Sequence, residues 1–185
     1  MDIETQSAST DFERESRSRI LVVDDLLENL RLLSNLLLEE GYDVRRSPDG
    51  SMALKNVPRF QPDLILLDIM MPEISGYEVC AALKANPQTQ DIPVIFLSAL
   101  DLTFDKVKAF EVGAADYINK PFHPAEVLAR VKNQLRMRQQ GIQLQAQCKL
   151  IEAQQQQIEN ARKAQRIAEE KCRHLIAAAG VAVEV

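Results

Sequence analysis

Ile20-Leu21-Val22-Val23-Asp24-Asp25 is an aliphatic run that stops on two adjacent carboxylates. The same design recurs along the chain. Leu64-Ile65-Leu66-Leu67 runs into Asp68, Val94-Ile95-Phe96-Leu97 into Ser98, and Asp116-Tyr117-Ile118-Asn119 into Lys120. Short continuous apolar runs read as strands buried on both faces, the habit of parallel sheets. In such a sheet the carboxyl ends of the strands share one edge, where ligands bind. The reading therefore predicts that Asp24, Asp25, Asp68, Ser98 and Lys120 meet at one place despite their separation in sequence.

Outward from these runs, strands are predicted near residues 19–24, 43–47, 64–68, 93–98 and 116–119, with an amphipathic segment after each. Leu30, Leu33 and Leu37 recur at helical spacing before a stop at Gly41, predicting a helix over 28–40. Asp49-Gly50 opens a second helix near Ser51, with Asp49 as its cap. A third starts after Gly76. A fourth runs from Thr103 or Phe104 to Gly113, and a fifth begins at Pro124, a favoured first-turn residue. Strand alternating with helix is the rhythm of a doubly wound α/β fold.

Composition limits the function classes. The chain has 185 residues, 46% apolar and 26% charged, enough for one well-buried domain and an appendage. A net charge of −5 argues against nucleic acid as a main partner, since such binding neutralises phosphates with Lys and Arg. No run approaches the roughly 20 apolar residues of a membrane span, and residues 1–18 carry no signal-peptide core, so the expectation is a cytoplasmic protein with a flexible N-terminal extension. Cys80, Cys148 and Cys172 are widely spaced and lack nearby His, which predicts free thiols rather than disulfides or zinc.

After Arg138 the sequence becomes rich in Gln, with Gln154 to Gln157 among Leu, Ile, Ala and Glu, and reads as a long helix over 140–178. Met137, Leu144, Ile151, Ile158, Gln165, Cys172 and Ala179 recur every seven residues as one column of a coiled-coil seam. The companion column, Gln140, Gln147, Gln154, Ala161, Ala168 and Leu175, is polar and then small. The predicted arrangement is a parallel homodimer of modest strength, with residues 179–185 as a tail or the start of a further domain. Gly141 is a weak point in the continuity of the helix.

The residue types at the predicted edge suit phosphoryl transfer. A carboxylate can take a phosphoryl group as a covalent nucleophile, and Asp68 is the candidate. Asp24 and Asp25 are oxygen ligands of the kind Mg²⁺ prefers. Lys120 is a point charge for phosphoryl oxygens, and Ser98 a hydroxyl donor.

With these residues in place, the stretch from about Arg19 to Gln139 resembles the receiver domain of two-component response regulators. The matching segments are ILVVDD (20–25), DIMMPEISG (68–76), FLSA (96–99) and GAADYINKPF (113–122). The resemblance implies a flavodoxin-like five-stranded sheet of order 2-1-3-4-5, with Asp68 as phosphoacceptor and a histidine kinase or phosphotransfer protein as the donor. It implies Mg²⁺ held by Asp24, Asp25, Asp68 and the Met70 carbonyl. Ser98 and Lys120 would bind the phosphoryl group, Ser98 and Tyr117 would act as the switch, and the Lys120-Pro121 bond would be cis. No activity on an external substrate is implied. Met70 and Leu100, apolar where polar groups can orient water, predict slow self-dephosphorylation.

Ala168 to Ile176 further resembles the lead-in to a Per-Arnt-Sim domain, consistent with a cyclase or kinase output beyond this segment. Two other classes compete. A constitutive dimerising scaffold gives no reason to gather like charges at one edge. A haloacid-dehalogenase-type phosphatase requires a second Asp where Met70 stands.

Overall fold

The computed structural model describes residues 17–98 and 111–181, with side chains to residue 175. Five strands form one parallel sheet: β1 (Arg19–Val23), β2 (Asp43–Ser47), β3 (Leu64–Asp68), β4 (Val94–Ser98) and β5 (Asp116–Asn119), in the order β2-β1-β3-β4-β5. The helices are α1 (Leu27–Glu39), α2 (Gly50–Phe60), α3 (Gly76–Ala85) and α4 (Pro124–Val181). The helix expected from Thr103 or Phe104 lies outside the described residues, apart from the turn that ends it, where Gly113 takes φ +88°. Two compact units are distinguished, Met1–Gln139 and Gln140–Val185.

Alternation along the strands divides the core between the two faces of the sheet. Ile20 and Val22 of β1, Leu64 and Leu66 of β3, and Ile95 and Leu97 of β4 pack with Leu30, Leu33 and Leu37 of α1 and with Val127 and Val131 of α4. Leu21 and Val23, Ile65 and Leu67, and Val94 and Phe96 pack on the other face with Ala53 and Val57 of α2 and with Val79, Cys80 and Leu83 of α3. The three central strands are buried at every apolar position. Each such side chain contributes about 1.5–3 kcal/mol relative to exposure. A slip of one residue in register would swap the two faces, so burial fixes the register.

That register sets the functional edge. Val23 pairs with Leu67 and Asp68 with Leu97, while Ser98 pairs with Asn119. Asp24, Asp68, Ser98 and Lys120 are therefore last or next after last on adjacent strands. Asp49 caps α2, its Oδ1 accepting from the Met52 N–H at 2.6 Å, and Ser75 with Glu78 forms a capping box on α3. The capping role expected of Asp49 is thus the observed one. The peptide bond Lys120-Pro121 is cis. In the second unit every described residue through Leu175 is exposed, and the helix runs on through Gly141 without interruption. Lys163 with Glu159 at 2.8 Å and Gln165 with Glu169 at 2.9 Å are solvated pairs along it.

Gly76, the first residue of α3, lies hard against the backbone at the end of β3. Its N–H donates to the Ile69 carbonyl at 2.9 Å, and a Cβ here would collide with the Asp68 carbonyl oxygen and lie 2.9 Å from Ile69 Cα. The obstacle is backbone, which cannot step aside as a side chain can. Gly76→Ala is expected to destabilise the fold by at least about 1–3 kcal/mol, the usual cost of overpacking. Chemical denaturation would measure it, and an unchanged midpoint would refute the close approach.

Candidate phosphoacceptor site

Asp24, Asp25 and Asp68 come together at the carboxyl edge of the sheet, each offering a carboxylate oxygen within 4.8 Å of the others. Asp24 is fully buried and Asp68 nearly so, whereas Asp25 is half-buried. Lys120 bridges the first and third: its Nζ lies 2.9 Å from Asp24 Oδ2 and 2.8 Å from Asp68 Oδ2. The position of Lys120 is set by backbone, because its N–H donates to the Ser98 carbonyl at 2.7 Å as β5 leaves the sheet. Lys120 Nζ also lies 5.8 Å from the centre of the Phe122 ring.

Asp24 has little capacity left. Oδ1 accepts from the Leu26 N–H at 2.9 Å and from Asn29 Nδ2 at 3.0 Å, and Oδ2 accepts from Asn29 at 2.9 Å as well as from Lys120. These contacts fill the roughly four lone-pair positions of a carboxylate. Asp68 is less occupied, with Oδ2 on Lys120 and Oδ1 at 3.4 Å from the Met70 N–H. Asp25 accepts no hydrogen bond among the described residues. The free lone pairs of the cluster therefore lie on Asp25 and Asp68. An all-oxygen donor set of this charge fits a hard divalent cation such as Mg²⁺.

The other expected residues take these places. Ser98 ends β4 and is buried, and Met70, directly beyond β3, is 68% exposed. Tyr117, half-buried in β5, packs against the cluster that contains Phe96. Leu100 lies outside the described residues. Two further residues escaped the sequence reading. Asn29, on the first turn of α1, clamps both oxygens of Asp24. Arg130, held by Asp116 at 2.8 Å and Glu126 at 2.9 Å, places its guanidinium 5.6 Å from the centre of the Tyr117 ring. The spacing of Glu126 and Arg130 hinted at a helical ion pair, but nothing in the sequence ties either residue to Tyr117.

Burial pushes the Asp68 carboxyl above its ordinary range and the Asp24 charge adds to this, against the hydrogen bond and charge of Lys120 and the Met70 N–H. Burial pulls Lys120 down, but hydrogen bonds and charges from Asp68 and Asp24 outweigh it and leave the ammonium more firmly protonated than usual. An acid with a raised folded pKa binds its proton more tightly folded than unfolded. Stability then falls as pH rises from the unfolded pKa, about 3.9, through the folded one. Ionised Asp68 thus costs stability at neutral pH. With a chelator present, Asp68→Asn is expected to melt above the parent at about pH 7, with the gap closing below about pH 4. A parent that melts as high as the variant at neutral pH would contradict this.

Comparison with known proteins adds the family. Residues 20–132 match the response regulator receiver domain. The response regulator PleD of Caulobacter vibrioides is 44% identical over 121 residues, 65% of this chain and 27% of that protein. The alkaline phosphatase synthesis transcriptional regulatory protein PhoP of Bacillus subtilis is 48% identical over 118 residues, 64% of this chain and 48% of that protein. This chain thus spans less than half the length of either. Among solved structures, a putative response regulator from Chloroflexus aurantiacus matches with a TM-score of 0.64 and 36% identity, covering 65% of this chain and 99% of that one. The receiver domain of a signal transduction histidine kinase from Syntrophus aciditrophicus matches at 0.61 and 36%, over 64% of this chain and 90% of that one. With a matching fold, an acidic cluster and a lysine bridge at one sheet edge, the chain belongs to the response regulator receiver domain family.

Proposed function

We propose that Asp68 accepts a phosphoryl group from a histidine kinase or phosphotransfer protein and that the phosphorylated state is passed on through the C-terminal helix. The observation that carries this reading is the single ammonium of Lys120 held between Asp24 Oδ2 and Asp68 Oδ2. It places a cation beside the nucleophile where phosphoryl charge will develop. An Asp68 oxygen forms the new O–P bond as the donor's N–P bond breaks, and the donor nitrogen keeps the electron pair. Lys120 exchanges a carboxylate contact for a phosphoryl oxygen, and the Ser98 hydroxyl closes on another. Asp25, Asp68 and the Met70 carbonyl would hold Mg²⁺, Asp24 would join them by giving up one of its contacts to Asn29 or Lys120, and the cation would supply positive charge against the phosphoryl group.

The fresh charge of about −2 near Lys120 biases the packing of Tyr117. Tyr117 faces Arg130 of α4, so a shift of the ring alters a residue on the output helix itself. Residues 19–139 act as the receiver, 140–178 as a coiled-coil linker in a parallel homodimer, and 179–185 as a tail or the start of an output domain. The extension expected over residues 1–18 falls, apart from its last two residues, outside the described residues. Supporting the pairing, Leu144, Ile151 and Ile158 are 62%, 53% and 54% exposed at seven-residue spacing. Among the described residues no helix is long and apolar enough to cross a membrane. That and the net charge of −5 favour a cytoplasmic protein that reads out through protein partners rather than nucleic acid.

Incubation with Mg²⁺ and acetyl phosphate is expected to add one phosphoryl mass to the parent and none to Asp68→Asn, read by intact-protein mass spectrometry. No adduct on the parent, with a dimer regardless, would move the reading to a constitutive scaffold, and an adduct on the variant would place the acceptor elsewhere than Asp68. With a water-orienting group lacking at Met70, the adduct is expected to outlast seconds.

Pairing is tested separately. Cys172 falls in the first column of the seam and Cys148 in neither column, and both are exposed free thiols. In a parallel, in-register pair the two copies of Cys172 face each other within disulfide reach. Mild copper-phenanthroline oxidation is expected to give a covalent dimer that survives Cys148→Ser and is lost in Cys172→Ser. Cross-linking through Cys148 alone would reject this register.

A further inference from the structure

At the opposite, amino-terminal edge of the sheet lies a cleft of ≈ 440 Å³ that the phosphoryl chemistry does not use. Its volume lies within the roughly 300–1,000 Å³ of small-molecule sites. It forms where α2 ends and β3 begins. Gln61 closes α2 in the left-handed region at φ 49°, and Pro62 follows, so the chain turns sharply and leaves a hollow. Arg19 at the start of β1 and Arg138 of α4 line the same hollow.

The charges there are unbalanced. Asp63 is the one carboxylate among the lining residues, against two guanidiniums. Its Oδ2 is taken by the Arg19 backbone N–H at 2.8 Å, and its Oδ1 stands 3.9 Å from Arg138 Nε, an ion-pair distance too long for a hydrogen bond. Arg138 Nη1 donates to the Asp91 carbonyl at 2.7 Å, and its Nε is buried with no acceptor. The Arg19 guanidinium has no hydrogen bond or ion pair among the described residues. A cation with an orphaned buried N–H is an unusual thing for a fold to keep, because nearly all such donors are paired.

We propose that this cleft, whose exposed lining is mostly polar, binds a small molecule bearing an oxyanionic head. Arg19 and Arg138 take the head, as guanidiniums take carboxylate or phosphoryl oxygens in pairs. Gln61, Gln88 and Thr89 line the cleft beside them and add neutral hydrogen-bonding groups. Arg138 is one residue short of Gln139, the last residue of the first unit, so the ligand grips α4 as it leaves the receiver. The inference does not depend on Asp68 being phosphorylated, and its failure would leave that reading untouched.

The test uses the intact chain, labelled with ¹⁵N, titrated with benzoate and with phenylphosphonate, and with neutral benzamide as the control. Saturable amide shifts around Arg19, Gln61, Gln88 and Arg138, with a dissociation constant of about 1 mM or tighter for either anion, are expected. Which anion binds more tightly tells a carboxylate from a phosphoryl ligand. Arg138→Gln and Arg19→Gln should each weaken binding at least about tenfold. Circular dichroism shows whether each variant is folded, and the charge-conserving Arg19→Lys, which keeps a cation, should retain part of the binding. Benzamide binding as well as benzoate, shifts confined to the Asp68 edge, or no saturation by either anion would overturn the proposal.

Discussion

Everything at the working edge of this receiver depends on two buried carboxylates sharing one ammonium. Asp24 and Asp68 lie on neighbouring strands because β1 and β3 pair in a register that burial on both faces enforces. Two desolvated like charges at such range are unfavourable unless a cation stands between them. Lys120 is that cation, and it arrives from β5, on the far side of β4. Pairing of these strands in register therefore brings the residues of the site together.

The two acids are not equivalent, and the difference follows from what each accepts. Asn29, Leu26 N–H and Lys120 saturate Asp24, which makes it a fixed negative wall. Asp68 keeps open lone pairs and a carboxyl that burial makes more basic than usual. Greater basicity in a position next to a protonated lysine suits the nucleophilic role proposed for Asp68, since its charge is available yet not quenched. The tight approach of Gly76 to the Asp68 carbonyl holds the backbone under that side chain.

Most of this was legible in the sequence because the signals were local and repeated. Runs such as ILVVDD and LILLD state both the strand and the residue at its end, and the topology of parallel sheets does the rest. The strand boundaries differ from expectation by a residue at most, as at Val23 and Val94. What stayed hidden were contacts made across elements by residues with no motif. Asn29 clamps Asp24 only because the first turn of α1 folds back over β1. Arg130 reaches Tyr117 only because α4 packs beside β5. The cleft at the opposite edge was equally silent, since it joins Arg19, Asp63 and Arg138, which share no spacing and no pattern.

The long helix poses a different physical problem from the domain before it. A run from Pro124 to Val181 exceeds what an isolated helix needs to be stable by length alone, and its Gln, Glu, Lys and Ala content favours the helical state. It does not need a partner in order to be helical. A partner gains only one apolar row, Leu144, Ile151 and Ile158, before that column turns polar at Gln165. In the pairing proposed above, an interface limited in this way has a small free energy of association, which a change of charge worth a few kcal/mol at the receiver can tip. A stronger seam would pair whatever the state of Asp68 and transmit nothing. Under the proposed relay, the mixed seam is thus better suited to a signal than an ideal one would be, because the states it would distinguish differ by no more than the phosphoryl group can supply.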